Sequence, residues 1–189
     1  MHGTENPSAW LQRWAHLITP HSRVLDLACG AGRHMRFLAA QGHTVQGVDR
    51  NPDAVSQAQT YGQVRCADIE NGPWPFEGQT FGCVVVTNYL WRALMPVIVQ
   101  SVAPGGVLIY ETFAAGNETV GKPSRPDFLL HPGELLRVTQ GLHVVAYEDG
   151  FATLPDRFVQ RIVAARPKTA GDLTRWALKA PTDFAQAAP

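Results

Sequence analysis

The residues best suited to carry chemistry gather in Asp26-Leu27-Ala28-Cys29-Gly30-Ala31-Gly32, between a short apolar run and a segment of helical pattern. Glycines at such a junction let the backbone turn tightly and approach a ligand closely. The helix opening after Gly32 leaves unpaired N–H groups that favour an anionic group. Two more acids end the next two apolar runs: Asp49 after residues 44–48, and Asp68 after residues 63–67.

Each acid suits a different part of one ligand. A carboxylate at the tip of a second strand accepts hydrogen bonds from both hydroxyls of a ribose, which fits Asp49. Asp68 can accept from the amino group of an adenine, with Ile69 against the ring. An acid ahead of the loop suits a positive amino-acid end, so Asp26 is expected beside an ammonium and Arg33 beside a carboxylate. These requirements describe S-adenosylmethionine, with S-adenosylhomocysteine as product. A dinucleotide site wants G-x-G-x-x-G. Counted from Gly30 the third position is Met35, and counted from Ala28 it is Arg33, so a nicotinamide oxidoreductase is the weaker reading.

The elements that must position these residues alternate. Short apolar runs begin at Val24, Thr44, Gln63, Phe81 and Val107, and helical patterns follow most of them. Continuously apolar strands separated by helices indicate a parallel sheet covered on both faces. Two closing strands are expected at residues 142–147 and 158–165. The expectation is an α/β, Rossmann-like, doubly wound, mostly parallel sheet of seven strands, forming one domain over residues 1–166. Its N-terminal helix spans 7–18, capped by Asn6. Further helices are expected over about 96–102 and from Glu134 through about Val138. A tail over 167–189 holds one short helix around Leu173–Leu178.

Over residues 20–165 the sequence resembles the class I S-adenosylmethionine-dependent methyltransferases. VLDLACGAGRH resembles their first motif, VQGVDRN the second and ADIE the adenine-binding third. FGCVVVTNYLW and PGGVLIYETF stand in the places of the fourth motif and of the turn and strand after it. The closest subgroup is the small tellurite-resistance-like methyltransferases. Ala28 stands where many members carry glycine, and a tight fit is expected there. The resemblance implies cofactor contacts from Asp26, Ala28, Cys29, Gly30, Gly32, Arg33, Asp49, Arg50, Asp68, Ile69 and Asn88.

The acceptor should approach from the carboxyl ends of the fourth and fifth strands. Tyr89, Trp91, Arg92, Asn117 and Arg125 are the residues expected to meet it. Glu111 or Tyr89 can take the proton of an amine or hydroxyl acceptor, whereas a thiol or carboxylate reacts as its own anion without a protein base. Enzymes that methylate nucleobase amines carry Asn/Asp-Pro-Pro-Tyr/Phe here, and Asn88-Tyr89 lacks the prolines. The aperiodic stretch 114–131 is expected to form an ordered lid anchored by Phe128-Leu129-Leu130.

The 189 residues carry 16 basic and 16 acidic side chains, so the basic surplus of a nucleic-acid binder is absent. The three cysteines share no CxxC spacing and the seven histidines no H-x-x-x-H, so no metal site is expected. No G-x-S-x-G elbow is present. The N-terminal stretch is not that of a signal peptide and no run is long enough to span a membrane, so the expected setting is the cytoplasm. A small-molecule acceptor and a monomer or homodimer fit best. An RNA or protein methyltransferase, or a non-catalytic S-adenosylmethionine-binding protein, remain open alternatives.

Overall fold

The computed structural model describes residues 6–169, 171 and 174–180. Its strands are β1 Arg23–Leu27, β2 Thr44–Asp49, β3 Gln63–Cys66, β4 Phe81–Thr87, β5 Val102–Phe113, β6 His143–Ala152 and β7 Arg157–Ala165. They form one sheet in the order β3-β2-β1-β4-β5-β7-β6. The first five run parallel, and β7 lies antiparallel to both β5 and β6. The strand order reverses between β1 and β4. A crevice for a ligand therefore opens beyond their carboxyl ends. This is the doubly wound, mostly parallel sheet that the alternation of apolar runs indicates.

Alternate residues of each strand face opposite sides. On one face Leu25, Leu27, Val84, Val86, Leu108 and Tyr110 pack with α4 (Met95–Gln100) and α5 (Glu134–Val138). On the other, Val24, Cys83, Val85, Val107 and Ile109 pack with α1 (Ala9–Trp14), α2 (Arg33–Ala40) and α3 (Pro52–Ala58). Continuing the second set by two residues reaches Asp26, Thr87 and Glu111. All three are buried polar groups on the α1–α2 face.

Local signals moved several boundaries. The cap of α1 is Ser8, not Asn6: its hydroxyl accepts from the N–H groups of Trp10 and Leu11, and the helix passes into a 3-10 turn at Ala15–Leu17. The helix expected over 96–102 ends at Gln100, because Val102 is drawn into β5 opposite Phe81. Pro104-Gly105-Gly106 is not a turn ahead of a strand. It sits inside β5, where the register jumps so that Val107 pairs with Cys83. Residues 174–178 form no helix, and Leu173 lies outside the described residues. That stretch instead packs Trp176 against the α1-side core, and the Ala177 carbonyl lies 2.9 Å from His16 Nε2. Among the described residues no helix is long and apolar enough to cross a membrane.

Candidate active site

The glycine loop leaves β1 in a chain of left-handed turns. Ala28, Gly30 and Gly32 have φ of 51°, 53° and 84°. Only glycine adopts such values freely, and alanine there costs about 1–2 kcal/mol. Asn88, across the crevice after β4, is a second non-glycine residue with positive φ, at 53°. Both strained residues line the same cleft, the pattern expected where a ligand shapes the backbone. A Cβ on Gly30 would meet nothing within 4 Å, so the loop presents open space there. At Gly32 a Cβ would press on Ala58 at 3.0 Å; this glycine serves the packing of α2 on α3.

Two clefts meet at Ala28. The first, of about 430 Å³, is lined by Asp49, Arg50, Asp68, Ile69, Glu70 and Tyr89. The second, of about 560 Å³, is lined by Cys29, Gly30, Arg33, His34, Thr87 and Asn88. Asp49 ties the clefts together: one carboxylate oxygen accepts from Gly30 N–H at 2.8 Å and the other from Asn51 N–H at 2.9 Å. Asp68 is exposed, and its oxygens accept from the Asn71 amide and the backbone N–H groups of Glu70 and Asn71. Those bonds, the Asn71 side chain first, hold its carboxyl below the usual range. Cys29 is a nearly buried thiol that burial pushes up, which disfavours its thiolate.

Beside the second cleft, Asp26 is 1% exposed and neither of its carboxylate oxygens has a hydrogen-bond partner in the protein. Burial raises it to about 8, against the lowering field of Arg33. A buried carboxyl with no donor is costly, and it matches a ligand bringing a positive donor. The loop with its open face at Gly30, the two joined clefts and this orphaned carboxyl thus fit S-adenosylmethionine. His34 and Thr87 also stand here, 3.3 Å apart through His34 Nδ1 and Thr87 Oγ1. Neither was among the expected site residues. Parity along β4 pointed to Thr87, but nothing in the spacing turned His34 inward.

On the acceptor side the structure rearranges the expectations. Glu111 is 3% exposed and turned away from the clefts, onto the α1 face. It accepts from the Ser8 hydroxyl at 2.7 Å and lies 2.6 Å from Arg161 Nε. Strand register sets this arrangement: Thr87, Glu111, Arg161 and Glu148 are successive neighbours across β4, β5, β7 and β6. A carboxylate held by such a partner is a structural anchor rather than a proton acceptor. Tyr89 does line the clefts. Desolvation, then the charges of Glu70 and Asp68, push its phenol up, which disfavours the phenolate a base would need.

Three of the remaining expected contacts brace the segment over residues 114–131. Arg92 donates to Glu134 at 2.8 Å and to the carbonyls of Asp127 and Leu129 at 2.9 and 2.8 Å. Asn117 is buried within the segment, donating to the Pro123 carbonyl and accepting from Phe158 N–H. Arg125 pairs with Asp127 and lies over the Phe128 ring. With Trp91, Asp127 and Phe128, Arg92 and Arg125 line a separate groove. The segment itself is ordered, with short 3-10 turns at Asn117–Thr119 and Pro126–Phe128 and a bridge from Ala114 to Leu130.

The sheet order, the reversed final strand and the crevice beyond β1 and β4 define the class I methyltransferase fold. Residues 24–106 match the family model of a methyltransferase domain. An uncharacterized methyltransferase of Synechocystis is 33% identical over 94 residues, a stretch covering 47% of this chain and 42% of that relative. The chain thus spans less than half the length of the curated relative it matches. Among solved structures, TehB from Haemophilus influenzae superposes with a TM-score of 0.66 at 20% identity, over 80% of this chain and 59% of that one. A TehB-like methyltransferase from Corynebacterium glutamicum gives 0.64 at 17% identity, over 86% and 90%. A methyltransferase from Methanosarcina mazei gives 0.66 at 14%, over 87% and 100%. Residues 24–106 thus resemble a methyltransferase domain, and the chain shares its fold with solved S-adenosylmethionine-dependent methyltransferases.

Proposed function

We propose that this protein transfers a methyl group from S-adenosylmethionine to a small-molecule acceptor. The observation that carries the reading is the junction of two clefts at Ala28, one offering Asp49, Asp68 and Ile69, the other Arg33 and the start of α2 beside the unpartnered Asp26. A nucleoside fits the first half and an amino-acid end the second. When bound, the sulfonium supplies an already activated methyl group. The work of the chain is therefore alignment and exclusion of water. Asp49 and Asp68 hold the nucleoside, Asp26 balances the ammonium, and the lid closes the acceptor side. A segment braced by Arg92 and Asn117 beside the acceptor side favours a compact acceptor over a nucleic acid or a protein. The three unpaired cysteines fit a reducing cytoplasm.

Calorimetric titration with S-adenosylmethionine and S-adenosylhomocysteine tests the reading, with Asp49→Ala as comparison. Binding that the substitution weakens about 10- to 100-fold is expected, the loss of charge-assisted hydrogen bonds worth roughly 1.5–3 kcal/mol. If neither ligand binds the native protein, the proposal fails.

A further inference from the structure

A third cleft, of about 640 Å³, adjoins the two that meet at Ala28. It shares Asn88 with the amino-acid half and Arg50, Glu70 and Tyr89 with the nucleoside half. It therefore opens beside the junction, where the sulfonium of a bound cofactor would lie. Its lining is mixed: Tyr89, Leu90, Phe113, Pro123 and Phe128 supply an aromatic and apolar side, and Arg50, Glu70, Asn88 and Thr112 a polar one. Pro123 and Phe128 belong to the lid, which Arg92 and Asn117 hold in place. Tyr89 is fixed as well, its carbonyl accepting from the Tyr110 hydroxyl at 2.9 Å. Arg50 and Glu70 lie 4.0 Å apart and offset each other's charge.

The proton chemistry of this cleft is as telling as its shape. Glu111 is held by Ser8 and Arg161 and does not line the cleft, whereas Thr112 and Phe113 do. Tyr89 stays a neutral phenol, and the carboxylate at the wall, Glu70, faces the Arg50 guanidinium. Among the described residues, Glu70 is the one carboxylate lining the cleft, and it is shared with Arg50 rather than directed at an acceptor. An acceptor that arrives as an anion needs no base, and it meets the rings of Tyr89, Phe113 and Phe128. Those rings suit a large, weakly hydrated thiolate better than a strongly hydrated carboxylate.

We propose that the third cleft is the acceptor site and that its substrates are small aromatic thiols, an inference that rests on the methyltransferase reading above. The thiol loses its proton to water before it reacts. A lone pair of the thiolate then forms the new sulfur–carbon bond as the carbon–sulfonium bond breaks, and that electron pair stays on the departing thioether. Charge balances, because a cation and an anion give two neutral thioethers. The aromatic walls position the ring, and no side chain carries the proton.

The experiment uses the full chain with thiophenol, 4-nitrothiophenol, phenol, aniline and benzoate, following S-adenosylhomocysteine release. S-adenosylmethionine binding is measured on the same preparation. The two thiols are expected to react at least about 100-fold faster than the other three. The pH profile of kcat/KM should follow each thiol's own ionisation, with its midpoint moving between the two thiols. Phe128→Ala should raise KM for thiophenol about tenfold with cofactor affinity unchanged. Turnover of phenol or aniline at the thiol rate overturns the assignment, as does a midpoint that stays put when the thiol changes. Cofactor binding without turnover of either thiol overturns it and leaves the cofactor site standing. Loss of cofactor binding in the native protein overturns both.

Discussion

His34 Nδ1 lies 3.8 Å from Asp26 Oδ1, with both side chains almost wholly buried beneath the glycine loop. His34 Nε2 and both oxygens of Asp26 lack hydrogen-bond partners. Salt bridge is the wrong description of this pair. Burial lowers the imidazole from 6.5 to about 3 and raises the carboxyl from 3.8 to about 8, so near neutrality both are uncharged. Arg33 favours this state at His34, opposes it at Asp26, and Asp49 and the two buried thiols Cys29 and Cys83 surround the carboxyl.

A pH dependence of stability follows. Between 3.8 and about 8 the folded chain keeps a proton on Asp26 that the unfolded chain has released, so stability falls as pH rises through that window. Between about 3 and 6.5 the unfolded chain protonates a histidine that the folded chain keeps neutral, so His34 makes stability fall as pH drops. The two trends oppose each other at acid pH, and Asp26 acts alone from roughly 6.5 to 8. Thermal midpoints of the cofactor-free protein should decline over that interval. Asp26→Asn should flatten the decline, each 1 kcal/mol appearing as about 2–4 °C. An unchanged slope in the variant would show that Asp26 is ionised throughout.

The same carboxyl ties cofactor binding to protons. An ammonium beside Asp26 favours its ionised form, so binding near neutral pH should release a proton. Calorimetry in buffers of different ionisation enthalpy measures that number directly. Affinity should rise with pH up to about 8, the point at which the free carboxyl is already ionised. Identical apparent enthalpies in all buffers would sink the coupling.

Glu111→Gln separates anchor from base. Removing one member of a buried ion pair leaves the other uncompensated and costs about 3–5 kcal/mol. Arg161 retains Glu148 at 3.1 Å, which puts the expectation near the lower end. The thermal midpoint should fall by several degrees while the pH profile of turnover keeps its shape. Loss of an ionisation from that profile would restore Glu111 as a base.

Ala28 and Gly30 should respond differently. Ala28→Gly relieves a left-handed alanine but loosens the unfolded chain, so stability should change by no more than about 1 kcal/mol. Gly30→Ala puts a methyl group into the open space where the loop meets the ligand, at φ 53°. Its cofactor affinity should drop at least about tenfold, measured by calorimetry beside Ala28→Gly. Equal affinities in the two variants would mean the ligand does not pass over Gly30.

Arg92→Ala tests the lid. It removes the ion pair to Glu134 and two bonds to the segment's carbonyls, so the wall formed by Phe128 should loosen. Acceptor KM should rise several-fold with cofactor affinity nearly constant. A matching loss of cofactor affinity would mean that Arg92 supports the whole crevice.

The sequence by itself determined the parallel sheet, the switch-point loop and the acids at the ends of β1, β2 and β3. Those features are local, because a buried strand, a left-handed glycine and a strand-end carboxylate each follow from a few adjacent residues. The roles of Glu111, Arg92 and Asn117 were decided only by the tertiary structure. Glu111 reads as a strand-end acid like the others, and it becomes an anchor because the antiparallel register of β7 places Arg161 opposite it. Arg92 meets Glu134 and Leu129 across some forty residues of chain. His34 is turned inward by the packing of α2 on the sheet, against an Asp26 left without a donor. Pairings between distant segments depend on register and packing direction, and neither is encoded in the spacing of one segment alone.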